Sequence, residues 1–221
     1  MGHAIHSILG RTNFQEVSGT RCATDFAELP SIIMEHFAAD PSVLSLFARH
    51  YETDQPLPVE MIAEKLALDK KFESVDTEHQ LILSLLDQAC HSQLALNPSF
   101  NTTEIFHSLQ RQHGVMPPDP AGTCGEGFFG HLFGYGGSYY SYLFDRVLAE
   151  RIWQQVFSGG REGGGLARGN GERFKDEVLK WGGARDPWKC LAGVLRDERV
   201  ENGGEKAMQL VGSWGAERRR R

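Results

Sequence analysis

Residues 76–96, DTEHQLILSLLDQACHSQLAL, decide the fold class. Their apolar side chains recur at helical period and do not alternate as a half-buried strand requires, so the stretch predicts one long helix. The same period runs through nearly every readable segment on either side. Residues 1–9 predict a helix ended by Gly10. From Asp25 onward, Phe26, Leu29, Ile32, Ile33 and Phe37 share one helical face, with Pro30 either bending that helix or sitting in its first turn. Asp40 and Pro41 fall at the N-cap and first helical position of DPSVLSLFARHYE, and Pro58 repeats the device in LPVEMIAEKLALDKK. TTEIFHSLQRQH predicts a helix up to Gly114, and YYSYLFDRVLAERIWQQVF (139–157) predicts another. Only Phe14–Val17 offers a short strand. The expected fold is all-α.

Composition bounds the function. The chain of 221 residues is 24% charged and 40% hydrophobic, as in a globular protein with a sizeable core. No apolar run reaches the roughly 18–20 residues of a membrane span. A net charge of −6 argues against general nucleic-acid affinity, which needs a basic surface. Cys22, Cys90, Cys124 and Cys190 are scattered without a CxxC pair, which suits a reducing compartment and excludes a zinc finger. The 221 residues contain no Arg- and Ser-rich presequence, which for a fragment says nothing of where its parent resides. SGGREGGGLARGNG (158–171) reads as a Gly-rich linker, followed by terminal helices over 172–215 and a basic tail, 216–221. The linker lacks the GK[ST] of a phosphate-binding loop.

The chemistry begins at MGH. With His-Glu placed ahead of Met1 the opening reads H-E-M-G-H, a HExxH helix whose two histidines bind a metal and whose Glu acts as general base. His3 is then the second of those histidines. A third ligand must come from a neighbouring helix, and Glu28 in GTRCATDFAELPS is the candidate, with Asp25 three residues before it on the same face, placed to orient a ligand imidazole. A solvated acidic first turn is the competing account; it suits Asp25 better than Glu28, which sits beside an apolar stripe. His6 does not fit the i, i+4 spacing and reads as a neighbour of the ligands or a surface residue. No role falls to His36, His50, His79, His91, His107 or His113. Cys22 lies near the same segment, with no sequence sign of a lowered pKa.

A second constellation lies downstream. GEGFFG (125–130) spells GxGxxG, but GVMPPDPAGT before it is no strand, so a dinucleotide site is rejected. In HLFGYGGSYYSYLF (131–144), His131, Tyr135 and Tyr142 could project hydrogen-bond donors toward the charge that builds on an attacked carbonyl oxygen. The flanking glycines would let the loop close over a substrate. Tyr139 and Tyr140 read as packing.

Taken in order, these two blocks resemble the thimet-oligopeptidase family of zinc metallopeptidases. The first is similar to the family's HExxH…GTxxxxDFxExPS block and the second to its HLxGGYxxxYYxY element. FARHYETDQPLP (47–58), and one residue fewer between His131 and Tyr135, resemble the family's mitochondrial intermediate branch. The resemblance runs from residue 1 to about 195. It implies the all-α, multi-helix catalytic half of a zincin-type oligopeptidase, with residues 1–157 belonging to the catalytic domain and the loop at 131–144 contacting substrate. It implies one zinc ion held by His3, Glu28 and a His ahead of Met1, with the Glu ahead of Met1 as base, and with His131, Tyr135 and Tyr142 at the oxyanion and substrate. Met1 is accordingly expected to lie inside HEMGH, the N-terminal part of the same protein being the first partner. By the same resemblance the substrates are imported precursor proteins of the mitochondrial matrix, each losing a short N-terminal peptide, an octapeptide. Two other readings compete. One is a truncated, catalytically inactive helical module that binds peptide through His131 and the tyrosines. The other is nucleic-acid binding through the Arg tail, which is too short to set the function.

Overall fold

In the computed structural model the described residues are 1–158 and 164–218. Local chemistry sets where most helices begin and end. Helix α1 (Gly2–Leu9) stops at Gly10, whose N–H returns to the His6 carbonyl. A 3₁₀ turn at Thr24–Phe26 precedes α2 (Leu29–Ala39), so the apolar face beginning at Phe26 spans a turn and a helix, and Pro30 sits in the first turn without bending it. Helix α3 (Pro41–Phe47) is capped by the Asp40 carboxylate, which accepts from the Ser42 and Val43 N–H groups.

The two helices expected on either side of residue 72 are one, α4 (Val59–Cys90). No Pro, Gly or capping pair interrupts the chain between them, and α4 closes before residues 93–96, which form a 3₁₀ turn capped by Ser92. Asn101 caps α5 (Thr102–His113), which ends at Gly114. The short α6 (His131–Gly134) leads to α7 (Ser141–Ile152), which continues as a π-helical turn over Trp153–Phe157. Helix α8 (Arg168–Glu177) starts inside the stretch expected as a linker, whose residues 159–163 lie outside the described residues. Helices α9 (Pro187–Leu195, capped by Asp186) and α10 (Gly204–Arg218) complete the chain. Of the basic tail, residues 219–221 lie outside the described residues.

The all-α expectation holds: among the described residues there is no strand, and the β-type pairing is an isolated bridge between Arg49 and Pro56. The strand offered at Phe14–Val17 is corrected to a 3₁₀ turn over Gln15–Val17. Its backbone closes on itself, Ser18 N–H donating to the Gln15 carbonyl, because no neighbouring strand supplies a ladder. Among the described residues no helix is long and apolar enough to cross a membrane.

The chain forms two compact units, Met1–Leu66 with Asp145–Arg221, and Ala67–Phe144. In the first, α1 packs on α2 and α8 on α9, around fully buried Leu29, Ile33, Leu148, Ile152, Leu191 and Val194. In the second, Ile82, Leu83 and Leu86 of α4 enclose Phe106 of α5 and the ring of Tyr139. Each such aliphatic side chain contributes about 1.5–3 kcal/mol by leaving water.

Candidate active site

The first unit holds the metal-ligand candidates. His3 lies on α1 and Glu28 is the N-cap residue just before α2, and their side chains meet with Nε2 and Oε2 3.1 Å apart. The Glu28 side chain is 8% exposed, whereas His3 is half exposed. Two helices that pack backbone to backbone bring these residues together from 25 positions apart.

Asp25 and Asp145 complete the surroundings. Asp145, on α7, is fully buried and neither of its oxygens makes a hydrogen bond. Burial raises its pKa well above the usual carboxylate range, and the negative charges of Asp25 and Glu28 add to that. The backbone N–H groups of Glu28 and Leu29 oppose the shift in part. Asp25 is partly buried, and its charge reaches Cys22 as well. The Cys22 thiol is pushed up to about 11, chiefly by burial, and is therefore not an activated thiolate.

The residues present fit a zinc ion. Imidazole nitrogen and carboxylate oxygen are donors zinc takes, and 3.1 Å is close to the edge of about 3.3 Å of a tetrahedron with bonds of about 2.0–2.1 Å. The charges of Asp25 and Glu28 both disfavour ionisation of the buried Asp145, a repulsion that a divalent cation relieves. Among the described residues, no group of three or more His, Cys, Asp and Glu side chains is arranged to hold a metal by itself. His6 is corrected from a surface position: it lies on the buried face of α1, both ring nitrogens lack hydrogen bonds, and burial, with the nearby His3, lowers its pKa.

The second unit holds the substrate-side candidates. The ring of His131 lies 5.7 Å from Tyr135 and 5.8 Å from Tyr142, and Tyr135 lies 5.8 Å from Tyr142. The three thus form one aromatic cluster, with His131 exposed and both tyrosines partly buried. Tyr139 lies beneath them, buried, its ring edge-on to His131 at 5.2 Å and tilted on Tyr142 at 5.0 Å. That matches the packing role read for it.

GEGFFG forms a 3₁₀ turn at Gly125–Phe128 with no strand before it, as its rejection as a nucleotide loop requires. Its Glu126 is buried and accepts from Thr102 and Thr103 at the start of α5. The sequence reading passes over Asp145, Glu126 and Asp87; each is a carboxylate at a helical or turn position with no motif around it.

Residues 1–210 match the sequence profile of peptidase family M3. Among curated proteins, the mitochondrial intermediate peptidase of Sclerotinia sclerotiorum is 77% identical over 215 residues, covering 97% of this chain and 27% of that protein. The protein of that name from Neurospora crassa is 66% identical over 218 residues, covering 99% of this chain and 27% of its own length. That of Aspergillus clavatus is 50% identical over 230 aligned residues, with 97% and 28% covered. The chain therefore spans little more than a quarter of the length of the curated relatives it matches.

Proposed function

The chain belongs to peptidase family M3, and from that premise we propose that it forms the C-terminal catalytic part of a zinc metalloendopeptidase. The observation that carries the reading is the 3.1 Å approach of His3 to Glu28, two donors of the kind zinc takes, drawn from two helices. In this reading residues 1–157 belong to the catalytic domain, and the Gly-rich stretch 158–171, which enters α8 at Arg168, leads to the terminal helices over 172–215, with the basic stretch 216–221 beginning inside α10.

His3 and Glu28 hold the ion together with a histidine supplied ahead of Met1, and Asp25 orients a ligand imidazole. Zinc bound there supplies Lewis-acid polarisation of the scissile carbonyl and activation of water. A Glu ahead of Met1 would serve as general base there. His131, Tyr135 and Tyr142 seat the peptide and donate hydrogen bonds to the oxyanion, where donors fixed before the reaction contribute most. The relatives' name, mitochondrial intermediate peptidase, supports a mitochondrial peptidase; in this reading the substrates are imported precursor proteins of the matrix, each losing a short N-terminal peptide, an octapeptide.

The test is a chain extended to the relatives' length, with His-Glu ahead of Met1, assayed on a precursor peptide with and without chelator. Zinc-dependent cleavage that falls in Tyr142→Phe supports the assignment. Zinc binding with turnover unchanged in Tyr142→Phe removes the oxyanion role.

A second reading is favoured by one observation: among the described residues no group of three or more His, Cys, Asp and Glu side chains could hold a metal, where a catalytic zinc site takes three ligands from protein. The 221-residue chain then acts as a catalytically inactive, peptide-binding helical module. Peptide binding by this chain without turnover or stoichiometric zinc supports it, and stoichiometric zinc at neutral pH counts against it.

A further inference from the structure

We propose that Asp87 is a positioning residue, whose buried carboxylate sets the His131–Tyr142 aromatic cluster by gripping the backbone of the turn that carries it. The proposal rests on the reading of those two side chains as substrate-contacting groups. Asp87 lies on α4, fully buried, in the second unit. Its Oδ1 accepts from the Gly137 N–H at 2.9 Å, and its Oδ2 accepts from the Tyr139 N–H at 3.0 Å. The turn is 50 and 52 residues away in sequence, so these are tertiary bonds, each made by a different oxygen of one carboxylate.

Three further contacts close the grip. Gln88, the next residue on α4, donates from Nε2 to the Gly137 carbonyl at 2.9 Å. Two helical turns before Gln88, Gln80 Oε1 accepts from the Tyr139 hydroxyl at 2.9 Å, which fixes the far end of that ring. His91 lies one turn beyond Asp87, with Nδ1 2.9 Å from Asp87 Oδ1, and its ring presses on Gly136, where a Cβ would meet Nε2 at 2.4 Å. Gly137 itself has φ +77, a conformation that side chains with a Cβ rarely adopt.

The chain of contacts runs from carboxylate to chemistry. Asp87 and Gln80 hold Tyr139 at its backbone and its hydroxyl, and His131 and Tyr142 both rest on the Tyr139 ring. A glycine-rich turn is loose by composition, and donors meant for a developing oxyanion contribute only when held to within a fraction of an ångström. A buried carboxylate taking two backbone N–H groups is the strong kind of hydrogen bond. Asparagine has the same shape but offers one acceptor and one donor, so one of the two N–H groups would face another donor.

In the zinc-loaded, full-length protein, Asp87→Asn is compared with Tyr142→Phe for kcat and KM on a precursor peptide. Hydrogen exchange is followed over residues 135–142. The expected result is a fall in kcat of about tenfold or more with zinc content unchanged and faster exchange at 137–139. The double variant should lose little beyond the worse single one, because both act through one cluster. A fall in Tyr142→Phe with Asp87→Asn at wild-type kcat overturns the proposal and leaves the functional reading standing. Wild-type turnover in both variants overturns both. An Asp87→Asn loss that multiplies independently with that of Tyr142→Phe, or that follows lost zinc, makes Asp87 a stability residue and overturns the proposal. If Asp87→Asn does not fold, Gln88→Met, at an exposed position, releases the Gly137 carbonyl alone. A smaller fall in kcat then supports the proposal, and no change overturns it.

Discussion

Gly2 meets the backbone of Ser31 directly: a Cβ on Gly2 would lie 2.4 Å from both the Cα and the N of Ser31. This approach lets α1 lie on α2, and so lets His3 reach Glu28. Gly2→Ala is therefore expected to push the helices apart and to cost about 1–3 kcal/mol of stability. In the full-length protein it should also weaken zinc binding in competition with a chelator, although alanine is the better helix former. Zinc affinity unchanged in that variant would separate the helix contact from the ligand pair.

His6 should give the chain an acid-sensitive stability. Burial lowers its pKa below the ordinary 6.5, so the folded state keeps it neutral where the unfolded chain takes up a proton. Stability from this residue is complete above pH 6.5 and falls as the pH drops from there toward the folded-state pKa. His6→Leu removes the titration and two buried nitrogens that lack hydrogen bonds. Urea midpoints from pH 7.5 to 5 should fall less steeply in the variant than in the parent.

The thiols should react in an order set by burial. Cys22 and Cys190 are both pushed up to about 11, chiefly by burial, and stay protonated at neutral pH. Cys124 is exposed. Iodoacetamide at pH 7.5 should label Cys124 well before either of them, as read by peptide mass spectrometry. Early labelling of Cys22 would contradict its burial beside Asp25 and Asp145.

Tyr139→Phe deletes the hydroxyl that donates to Gln80 while leaving the ring contacts in place. The expected cost is about 1 kcal/mol, the ordinary net worth of one hydrogen bond. A thermal scan of the variant measures it, and a loss several times larger would mean that the ring itself has moved.

The sequence by itself determined the helices and most of their limits. Period, Pro30, Pro41, and the caps at Asp40, Asn101 and Gly114 are local, and local chemistry acted at those positions. It erred where locality was too little: Phe14–Val17 had no strand to pair with, and nothing near residue 72 could end α4. The order of the two motif blocks was equally legible, and it named His3, Glu28, Asp25, His131, Tyr135 and Tyr142. What only the tertiary structure decided is which polar groups lie inside. Asp87 and Asp145 sit on helices as any surface carboxylate would, and neither Gln80 of α4 nor His91, just past its end, lies in a motif. Their neighbours lie far along the chain, so no window of sequence contains both halves of the Asp87–Tyr139 bond or of the Asp25–Asp145 charge repulsion. Burial depends on which surfaces the packed helices cover, and hydrogen-bond partners depend on where loops return; both are fixed by packing among distant residues.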